Sequence, residues 1–481
     1  MINLKIIFFI LGVLVSVLSL SMIIPLALNF FVYGSFYVFF SSFLISSFFG
    51  FSLILAFRNN DKKIGVNDTI IVTVLSLPVL CFFASLPFYF DHNILKFSDA
   101  FFEATSGLTT TGASIYDNVE NLSLGLLVWR SLIQWLGGIG IIIFAIAILP
   151  ILNIGGMQLF TQDWKEKDFD LHYRSKELAK LVGIVYLSFT FFIFLCLWFL
   201  GMPAFQAFCH SLTTVATGGF STNNNSIAHY NSLPIELTII IGMILASLPF
   251  TLYLSTFKKG IQAFKDAQVF IFLILILFFT LALSSWNYFQ SNLNFFVSLR
   301  IALFNGVSVI TGTGYSTANF SSWGSFPSAL LLIMMLIGGC TGSTTGGIKI
   351  FRIQLLYFVL IKELKKINSP RSVFSSNYKN QVINDDIINS VMVIILLFLG
   401  GIFVISLIFY MYGYDFITSV SAAITSICVV GPGLGNIIGP EESFYTLPSN
   451  LKIILSGAMI MGRLEFIAFF VLLLPSFWRQ K

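Results

Sequence analysis

The feature that most constrains this chain is a short glycine-bearing motif that occurs four times in a strongly apolar sequence. The four copies are Thr109–Ser114, Ala216–Ser221, Gly312–Ser316 and Val429–Gly433. Each copy follows a short apolar segment and precedes a long one. Glycine permits backbone conformations that turn carbonyl groups towards a common axis, and rings of backbone carbonyls can replace the hydration shell of an ion. The repeated motif therefore predicts the four walls of one ion filter.

The composition predicts a protein that crosses a membrane many times. Hydrophobic residues make up 57% of the 481 residues and charged residues only 10%, whereas a soluble domain carries about 25% charged residues. Ten apolar runs have the length needed to cross about 30 Å of hydrocarbon. They lie near residues 4–31, 35–57, 68–90, 121–150, 179–202, 234–257, 267–286, 327–361, 388–412 and 450–477.

The motifs recur at intervals of 107, 95 and 117 residues, counted between Gly112, Gly219, Gly314 and Gly431. Such a period indicates four homologous units, each with a membrane helix, a short re-entrant pore helix with its loop, and a second membrane helix. The predicted fold class is an all-α polytopic membrane protein, with an N-terminal two-helix hairpin and four membrane–pore loop–membrane repeats around a central pore. The predicted boundaries are 1–63 for the hairpin and 64–161, 162–258, 259–367 and 368–481 for repeats 1 to 4.

The distribution of lysine and arginine predicts the orientation. Of the 26 such residues, 21 fall at or near one side if both termini are cytoplasmic and every pore loop enters from outside. Basic loops remain in the cytoplasm, so both termini are predicted to lie there. The remaining cations are Lys96, Arg130, Arg300, Lys452 and Arg463. Because the basic residues sort by membrane side and not onto one face, the net charge of +5 does not indicate nucleic-acid binding.

Backbone carbonyls are predicted to bind the ion at the four loops, so the side chains can differ among loops. The candidate filter residues are Thr110, Thr111, Gly112, Thr217, Gly218, Gly219, Gly312, Thr313, Gly314, Val429, Val430 and Gly431. The alternative is that these segments are helix caps and turns. In the fourth loop Gly431 and Gly433 both fit, and Gly431 is preferred because Val-Gly then aligns with Thr-Gly in the other loops.

A glycine-rich stretch interrupts the eighth apolar run. Glycine costs about 1 kcal/mol per helical position relative to alanine, so a dense run of glycines disfavours a regular helix. We predict an unwound intramembrane loop that gates the path below the filter; close helix packing through small residues is the alternative. The candidate gate residues in this loop are Gly338, Gly339, Gly342, Ser343, Thr344, Thr345, Gly346 and Gly347.

Two basic residues complete the candidate gate. Arg463 falls near the middle of the last apolar run, where an arginine costs about 2.5–3.5 kcal/mol. It is predicted to face the pore as a barrier to cations; the alternative is a structural pair with Glu465 or another acid. Lys349 either joins the same constriction or extends to the cytoplasmic surface.

One position in the pore helices carries unlike residues in the four repeats. Glu103 lies nine residues before Gly112, and His210, Asn305 and Ala422 occupy the same position elsewhere. Glu103 is predicted either to attract cations to the pore mouth or to be a hydrogen-bonded acid of the pore helix. The four histidines and five cysteines form no recognisable catalytic or metal-binding motif. An integral-membrane enzyme is therefore the remote alternative.

Seven segments carry a family resemblance. They are Thr109–Ala113, Trp129–Gly140, Thr217–Thr222, Gly314–Ser316, Gly338–Thr344, Val430–Gly435 and Gly462–Arg463. On these segments, which are spread over essentially the whole chain, the sequence resembles the Trk/Ktr/HKT superfamily of potassium transporters, and within it the bacterial TrkH/TrkG membrane subunits. The second repeat departs from the pattern, because its last helix at Ile241–Pro249 lacks the double glycine of repeats 1 and 3.

The resemblance implies potassium uptake across the bacterial cytoplasmic (inner) membrane, with K⁺ as the transported ion and no organic cofactor. It also implies a homodimer in membrane lipid and a cytosolic ring of TrkA-type nucleotide-binding subunits that opens the gate. By the same resemblance, the loop from Gly338 to Gly347 is the gating loop and Arg463 helps to close it. The alternative is a Na⁺-permeable transporter or Na⁺/K⁺ cotransporter of the same architecture. Such relatives carry serine in place of the first filter glycine. This chain has Gly112 there, which argues against the Na⁺-permeable alternative.

Overall fold

The computed structural model describes residues 2–58, 65–91, 96–147, 171–260, 266–290, 294–369, 377–378, 381–382 and 385–479. Most of these residues are helical, and the strands Asn377–Tyr378 and Gln381–Val382 form one short antiparallel pair. The predicted repeat boundaries at 63 and 161 lie outside the described residues. So do several cations used to predict the orientation: Lys62, Lys63, Lys165, Lys167, Lys265, Arg371, Lys379 and Lys481.

The helices form a hairpin followed by four similar units, which confirms the predicted all-α architecture. The hairpin comprises α1 (Leu4–Ser21), α2 (Ile23–Tyr33) and α3 (Tyr37–Phe57). Repeat 1 comprises α4 (Val66–Phe90), α5 (Phe97–Leu108) and α6 (Leu124–Ala147). Repeat 2 comprises α7 (Leu171–Phe199), α8 (Ala204–Val215), α9 (Leu233–Ser247) and α10 (Phe250–Lys259). Repeat 3 comprises α11 (Ala267–Gln290), α12 (Phe295–Ile310), α13 (Ser325–Ile337) and α14 (Ile350–Asn368). Repeat 4 comprises α15 (Asp385–Met411), α16 (Phe416–Cys428), α17 (Ser449–Arg463) and α18 (Ile467–Leu473), and α19 (Pro475–Arg479) follows it.

Small residues hold the N-terminal hairpin together. A Cβ atom on Gly50 of α3 would lie 2.5 Å from the Ser16 hydroxyl of α1, and one on Gly12 would lie 2.8 Å from a Cβ atom of α3. Such close approach stabilises helix pairs in lipid, where hydrophobic burial provides little driving force. The hairpin docks on repeat 1 through Asn29, whose side-chain oxygen accepts a hydrogen bond from the Gly125 N–H at 2.9 Å. This bond satisfies a free backbone donor at the start of α6.

Three of the ten predicted membrane runs are broken. By length and composition, seven described spans can cross a membrane unbroken, and two more are bent pairs of helices. The eighth run is interrupted between α13 and α14. The sixth and tenth runs, which the sequence analysis treats as continuous, bend by 89° between α9 and α10 and by 106° between α17 and α18.

Each of these two bends coincides with backbone geometry that does not fit a helix. At the first bend, Pro249 lacks an N–H group and disfavours helical geometry at the preceding Leu248, which is extended with ψ of 156°. At the second bend, Glu465 and Phe466 have φ values of 63° and 52°. Left-handed residues do not fit within a right-handed helix, so the last span must break there.

The four short helices α5, α8, α12 and α16 deliver the glycine-bearing loops to the centre. They contain 12, 12, 16 and 13 residues. At a rise of about 1.5 Å per residue they are too short to cross about 30 Å of hydrocarbon. The chain therefore leaves the helical conformation at membrane depth, which is tolerated only where the backbone is buried or lines a water-filled path.

Ion pairs join neighbouring repeats. Arg300 of α12 contacts both carboxylate oxygens of Glu236 in α9, each at 2.8 Å. Lys452 of α17 donates to the carboxylate of Asp99 in α5 at 2.9 Å and to the Tyr445 carbonyl at 2.8 Å. The first pair links repeat 2 to repeat 3, and the second links repeat 4 to repeat 1. Both therefore connect a second membrane helix to the next pore helix.

We predict that replacing Lys452 with methionine lowers the free energy of unfolding by about 3–5 kcal/mol, because the buried Asp99 carboxylate loses its partner. Thermal unfolding of the purified protein in detergent measures the effect. The control is Lys362→Met, since Lys362 pairs at the surface with the exposed Asp385, and such a pair contributes at most about 1 kcal/mol. Equal melting temperatures for Lys452→Met and the unmodified chain would contradict the prediction.

Candidate functional site

The four loops meet in a closed ring in which one glycine of each loop faces a carbonyl of the next loop. These ring glycines are Gly112, Gly219, Gly314 and Gly431. A Cβ atom on any of them would collide with the carbonyl oxygen of the residue just before the next ring glycine. The distances from the added Cβ atom to the carbonyl oxygen are 2.1 Å for Gly112 and Gly218, 1.8 Å for Gly219 and Thr313, 2.4 Å for Gly314 and Val430, and 2.7 Å for Gly431 and Thr111. Only glycine fits at these positions, and the four facing oxygens, here named the ring carbonyls, each lie against the neighbouring loop.

The backbone adopts left-handed conformations at two positions in each loop, the ring glycine and the residue two before it. The ring glycines have φ between 78° and 107°. The earlier residues are Thr110 at 57°, Thr217 at 49°, Gly312 at 69° and Val429 at 60°. A β-branched residue with positive φ is an outlier that costs about 1–3 kcal/mol. The same outlier in three loops shows that the surrounding structure imposes the conformation.

Each loop is fastened to its own pore helix by the same backbone hydrogen bond. The N–H group of the ring-carbonyl residue donates to a carbonyl five residues earlier, at 2.8 to 3.0 Å. The acceptors are Ser106, Thr213, Ser308 and Thr425. All four are buried hydroxyl residues at one offset from the ring glycine. This regularity is a sequence signal that the filter prediction did not use.

A side chain of each pore helix also holds the segment after its ring glycine. The pairs are Glu103 with the Ile115 N–H at 2.9 Å, His210 with the Ser221 hydroxyl at 3.2 Å, Asn305 with the Thr317 N–H at 3.1 Å and Ser421 with the Leu434 N–H at 2.9 Å. In repeat 4 the aligned residue is alanine, so the neighbouring serine makes the contact. Unlike side chains therefore perform one structural task, which the alignment of the repeats did not reveal.

Glu103 is a buried partner of Arg130. The Arg130 Nε group donates to the Glu103 carboxylate at 2.8 Å, and both side chains are almost fully buried. Arg130 also donates to the Ser114 hydroxyl and the Ser221 carbonyl, each at 3.0 Å, and so links the first loop to the second. Of the two interpretations of Glu103, this geometry matches the hydrogen-bonded acid of the pore helix.

The fourth loop places Gly431 in the ring and Gly433 outside it. The Gly433 N–H donates to the Ile438 carbonyl at 2.7 Å, and a Cβ atom on Gly433 would meet the Ile438 side chain at 2.4 Å. The preferred alignment of Val-Gly with Thr-Gly thus agrees with the position of Gly431.

A cavity of about 330 Å³, here named the mouth cavity, opens on one side of the ring. Three of the ring glycines line it, together with the carboxylate residues Asp117, Glu441 and Glu442. Arg130 also lines the cavity, but its charge is matched by that of Glu103. The excess of carboxylates gives the mouth cavity a negative potential that favours cations.

The glycine-rich stretch forms a loop over residues 338–349, here named the gate loop, which packs on the broken end of α9. Three backbone hydrogen bonds join them. The Cys340 N–H donates to the Ser247 carbonyl at 3.1 Å and the Thr344 N–H donates to the Ala246 carbonyl at 3.4 Å. In the other direction, the Phe250 N–H donates to the Gly342 carbonyl at 3.0 Å. The bend after α9 leaves carbonyls without helical partners, and the gate loop supplies the missing donors.

The glycines of the gate loop allow it to fold tightly on itself and on α16. A Cβ atom on Gly338 would lie 2.2 Å from the Gly346 carbonyl, and one on Gly339 would lie 2.7 Å from the Thr345 side chain. A Cβ atom on Gly347 would lie 2.8 Å from the Gly338 Cα atom, and one on Gly346 would lie 2.0 Å from the Cys428 carbonyl. Gly342 has open space but a φ of 81°. The Ser343 hydroxyl bridges the loop by contacting the Cys340 carbonyl at 2.6 Å and the Thr345 hydroxyl at 2.8 Å.

A second cavity of about 40 Å³, here named the gate cavity, lies between the gate loop and the break in the last span. Lys349 and Arg463 both line it. Arg463 is buried, and its Nε and Nη2 atoms have no hydrogen-bond partner among the described residues. Glu465, the alternative partner, instead pairs with Arg352 at 2.6 Å. The Lys349 ammonium group donates to the Thr345 carbonyl and hydroxyl, so it is held within the gate loop beside the gate cavity.

Comparison with known proteins relates this geometry to a family. A sequence profile for TrkH, described as a cation transport protein, matches residues 35–479. The chain belongs to the TrkH family. This result confirms the resemblance seen in the sequence. Because TrkH proteins are transporters, it also removes the alternative of an integral-membrane enzyme.

Named relatives of this TrkH family member cover most of its length. The Trk system potassium uptake protein TrkI of Halomonas elongata is 39% identical over 415 residues, which are 85% of this chain and 84% of the relative. The Trk system potassium uptake protein TrkH of Escherichia coli K12 is 34% identical over 483 residues, 98% of each chain. The crystal structure of the potassium transporter TrkH from Vibrio parahaemolyticus superposes with a TM-score of 0.91 at 31% identity. That superposition covers 99% of this chain and 100% of the other.

The gate loop of this TrkH family member touches the ring directly. The Thr217 hydroxyl, at the base of the second loop, donates to the Thr344 hydroxyl at 3.0 Å. Gly346 packs on the last carbonyl of α16, which carries the fourth loop. A movement of the gate loop therefore changes the support of two of the four loops.

We predict that Gly219→Ala lowers the free energy of unfolding by at least about 1–3 kcal/mol, because the added methyl group collides with the Thr313 carbonyl and the loop must shift. Thermal unfolding in detergent is again the measurement. Gly457→Ala is the matched control, since a Cβ atom on this helical glycine has open space and alanine favours helix. The prediction fails if the two variants melt at the same temperature.

Proposed function

We propose that this chain takes up potassium across the bacterial cytoplasmic membrane. The observation that carries the proposal is the closed ring, in which a backbone oxygen of each loop lies against the ring glycine of a neighbouring loop and leaves no room for a side chain there. Stacked carbonyl oxygens replace the water around a dehydrating K⁺ ion. Relatives that cover nearly the whole chain are named potassium uptake proteins, which also supports the proposal. The proposed filter consists of residues 110–112, 217–219, 312–314 and 429–431.

In the proposed path the ion meets carboxylates first and cations last. The acids of the mouth cavity raise the local concentration of cations. Beyond the filter lies the gate, formed by residues 338–347 of the gate loop with Lys349 and Arg463. A buried guanidinium that has no acid partner among the described residues repels K⁺ strongly in a region of low dielectric, so the arrangement corresponds to a closed state. Opening requires a displacement of the gate loop or of Arg463.

The proposal includes an orientation and partners. The mouth cavity faces outward and both termini lie in the cytoplasm, which is the arrangement favoured by the basic loops. The chain acts as a homodimer in membrane lipid, and a TrkA-type ring on the cytoplasmic side opens the gate. K⁺ is the transported ion, and no organic cofactor is needed for a filter made of backbone oxygens.

We predict that liposomes containing the purified chain take up radiolabelled Rb⁺, and that K⁺ blocks this uptake at concentrations at which Na⁺ and Li⁺ do not. The reason is that the carbonyl ring suits an ion of the size of K⁺ or Rb⁺. Equal competition by Na⁺ would instead support the Na⁺-permeable alternative. If the gate is closed by default, uptake is first seen after a TrkA-type ring is added.

We predict that Arg463→Ala raises basal Rb⁺ flux in the absence of any partner protein, because it removes from the gate cavity a positive charge that no described acid neutralises. Arg463→Lys is the matched control, since it keeps the charge and should keep basal flux low. Flux into liposomes is compared at equal amounts of folded protein. If Arg463→Ala folds normally and flux is unchanged or lower, Arg463 is not the barrier.

A further inference from the structure

One buried amide contacts the ring from behind. Gln134 of α6 is fully buried. Its Nε2 group donates to the Gly218 carbonyl at 2.6 Å, and its Oε1 atom accepts from the Phe220 N–H at 3.1 Å. A Cβ atom on Gly218 would lie 2.5 Å from the Gln134 side chain. The amide therefore occupies the space that the missing side chain leaves, and it grips the second loop on both sides of its ring glycine.

The oxygen that accepts the hydrogen bond from Gln134 is one of the ring carbonyls. The Gly218 oxygen is the one that faces Gly112 of the first loop. A carbonyl oxygen has two lone pairs, so it can accept the amide hydrogen bond and still take part in coordinating an ion. In the part of the chain that the structure describes, no side chain donates to the other ring carbonyls, those of Thr111, Thr313 and Val430. The ring is therefore chemically asymmetric.

In repeat 4, the residue equivalent to Gln134 has no side-chain amide. Gly137 of α6 packs on the Leu108 carbonyl and Gly462 of α17 packs on the Ile427 carbonyl, each with a Cβ-to-oxygen distance of 2.0 Å. Leu108 and Ile427 both lie four residues before their ring glycines, so α6 and α17 are equivalent. Three residues before the packed glycine, α17 carries the buried Met459, whose side chain has no hydrogen-bond donor.

We propose that Gln134 is a specificity-determining positioning residue, which holds the Gly218 carbonyl in place and so resists closure of the ring around an ion smaller than K⁺. The inference rests on the proposed function of the four loops as a potassium filter. A carbonyl held by a short hydrogen bond moves inward less readily than a free one. The restraint therefore disfavours Na⁺, which requires shorter contacts, more than K⁺ or Rb⁺.

Gln134→Met tests this proposal, because methionine matches the shape of glutamine and is the residue that repeat 4 has at this position. Rb⁺ uptake into liposomes is measured with K⁺ or Na⁺ as competitor. The ratio of the half-inhibitory concentrations of Na⁺ and K⁺ should fall by about threefold to tenfold, the range expected for one hydrogen bond. This ratio does not depend on how much protein is folded, so a loss of stability alone leaves it unchanged.

Gln354→Met is the control, since Gln354 is a second buried glutamine whose amide contacts no ring carbonyl; its ratio should equal that of the unmodified chain. Gln134→Asn provides a second variant, because its shorter amide does not reach the Gly218 oxygen and it adds no bulk. A normal ratio in both Gln134 variants overturns the proposal. If the unmodified chain itself fails to prefer K⁺ over Na⁺, the potassium filter is rejected instead.

Discussion

The structure depends on a contact between backbones at the point where the four loops meet. Each ring glycine lies so close to a carbonyl of the next loop that a single methyl group does not fit between them. This contact places one backbone oxygen of each loop against the ring glycine of a neighbouring loop. The pore helices, their side chains and the ion pairs between repeats hold the loops in this arrangement. The hydrogen bonds to Ser106, Thr213, Ser308 and Thr425 are the innermost of these supports.

The gate loop, the proposed gate, lies where membrane helices break, because a broken helix exposes backbone groups that need partners. The end of α9 offers free carbonyls, and the gate loop offers free N–H groups. Neither is tolerable alone at membrane depth, but together they satisfy each other. The third break, at Glu465 and Phe466, leaves Arg463 beside the gate cavity while Glu465 is occupied by Arg352. Breaks in membrane helices thus underlie both the gate loop and the position of Arg463.

The sequence was sufficient for the fold and for the four loops, because membrane length and the steric uniqueness of glycine are local properties. The position of Gly431 followed from aligning the repeats. The bend at Pro249 has a cause that is visible in the sequence, since proline disfavours helix at the residue before it. The break at Glu465 and Phe466 had none, because left-handed conformations of ordinary residues are imposed by tertiary neighbours. The contacts of Gln134 and Ser421 were equally hidden, since they depend on which helix lies behind which loop.

The ion pairs between repeats have a property that a single pair does not. Glu236 and Lys452 are each the fourth residue of their helices, α9 and α17, yet they carry opposite charges. Their partners near the starts of α12 and α5, Arg300 and Asp99, are reversed in the same way. If the order of the repeats were exchanged, Glu236 would face Asp99 at one contact between repeats, and Lys452 would face Arg300 at the other. These charges thus help to specify the circular order of the four similar repeats, because a wrong order brings like charges together at both contacts.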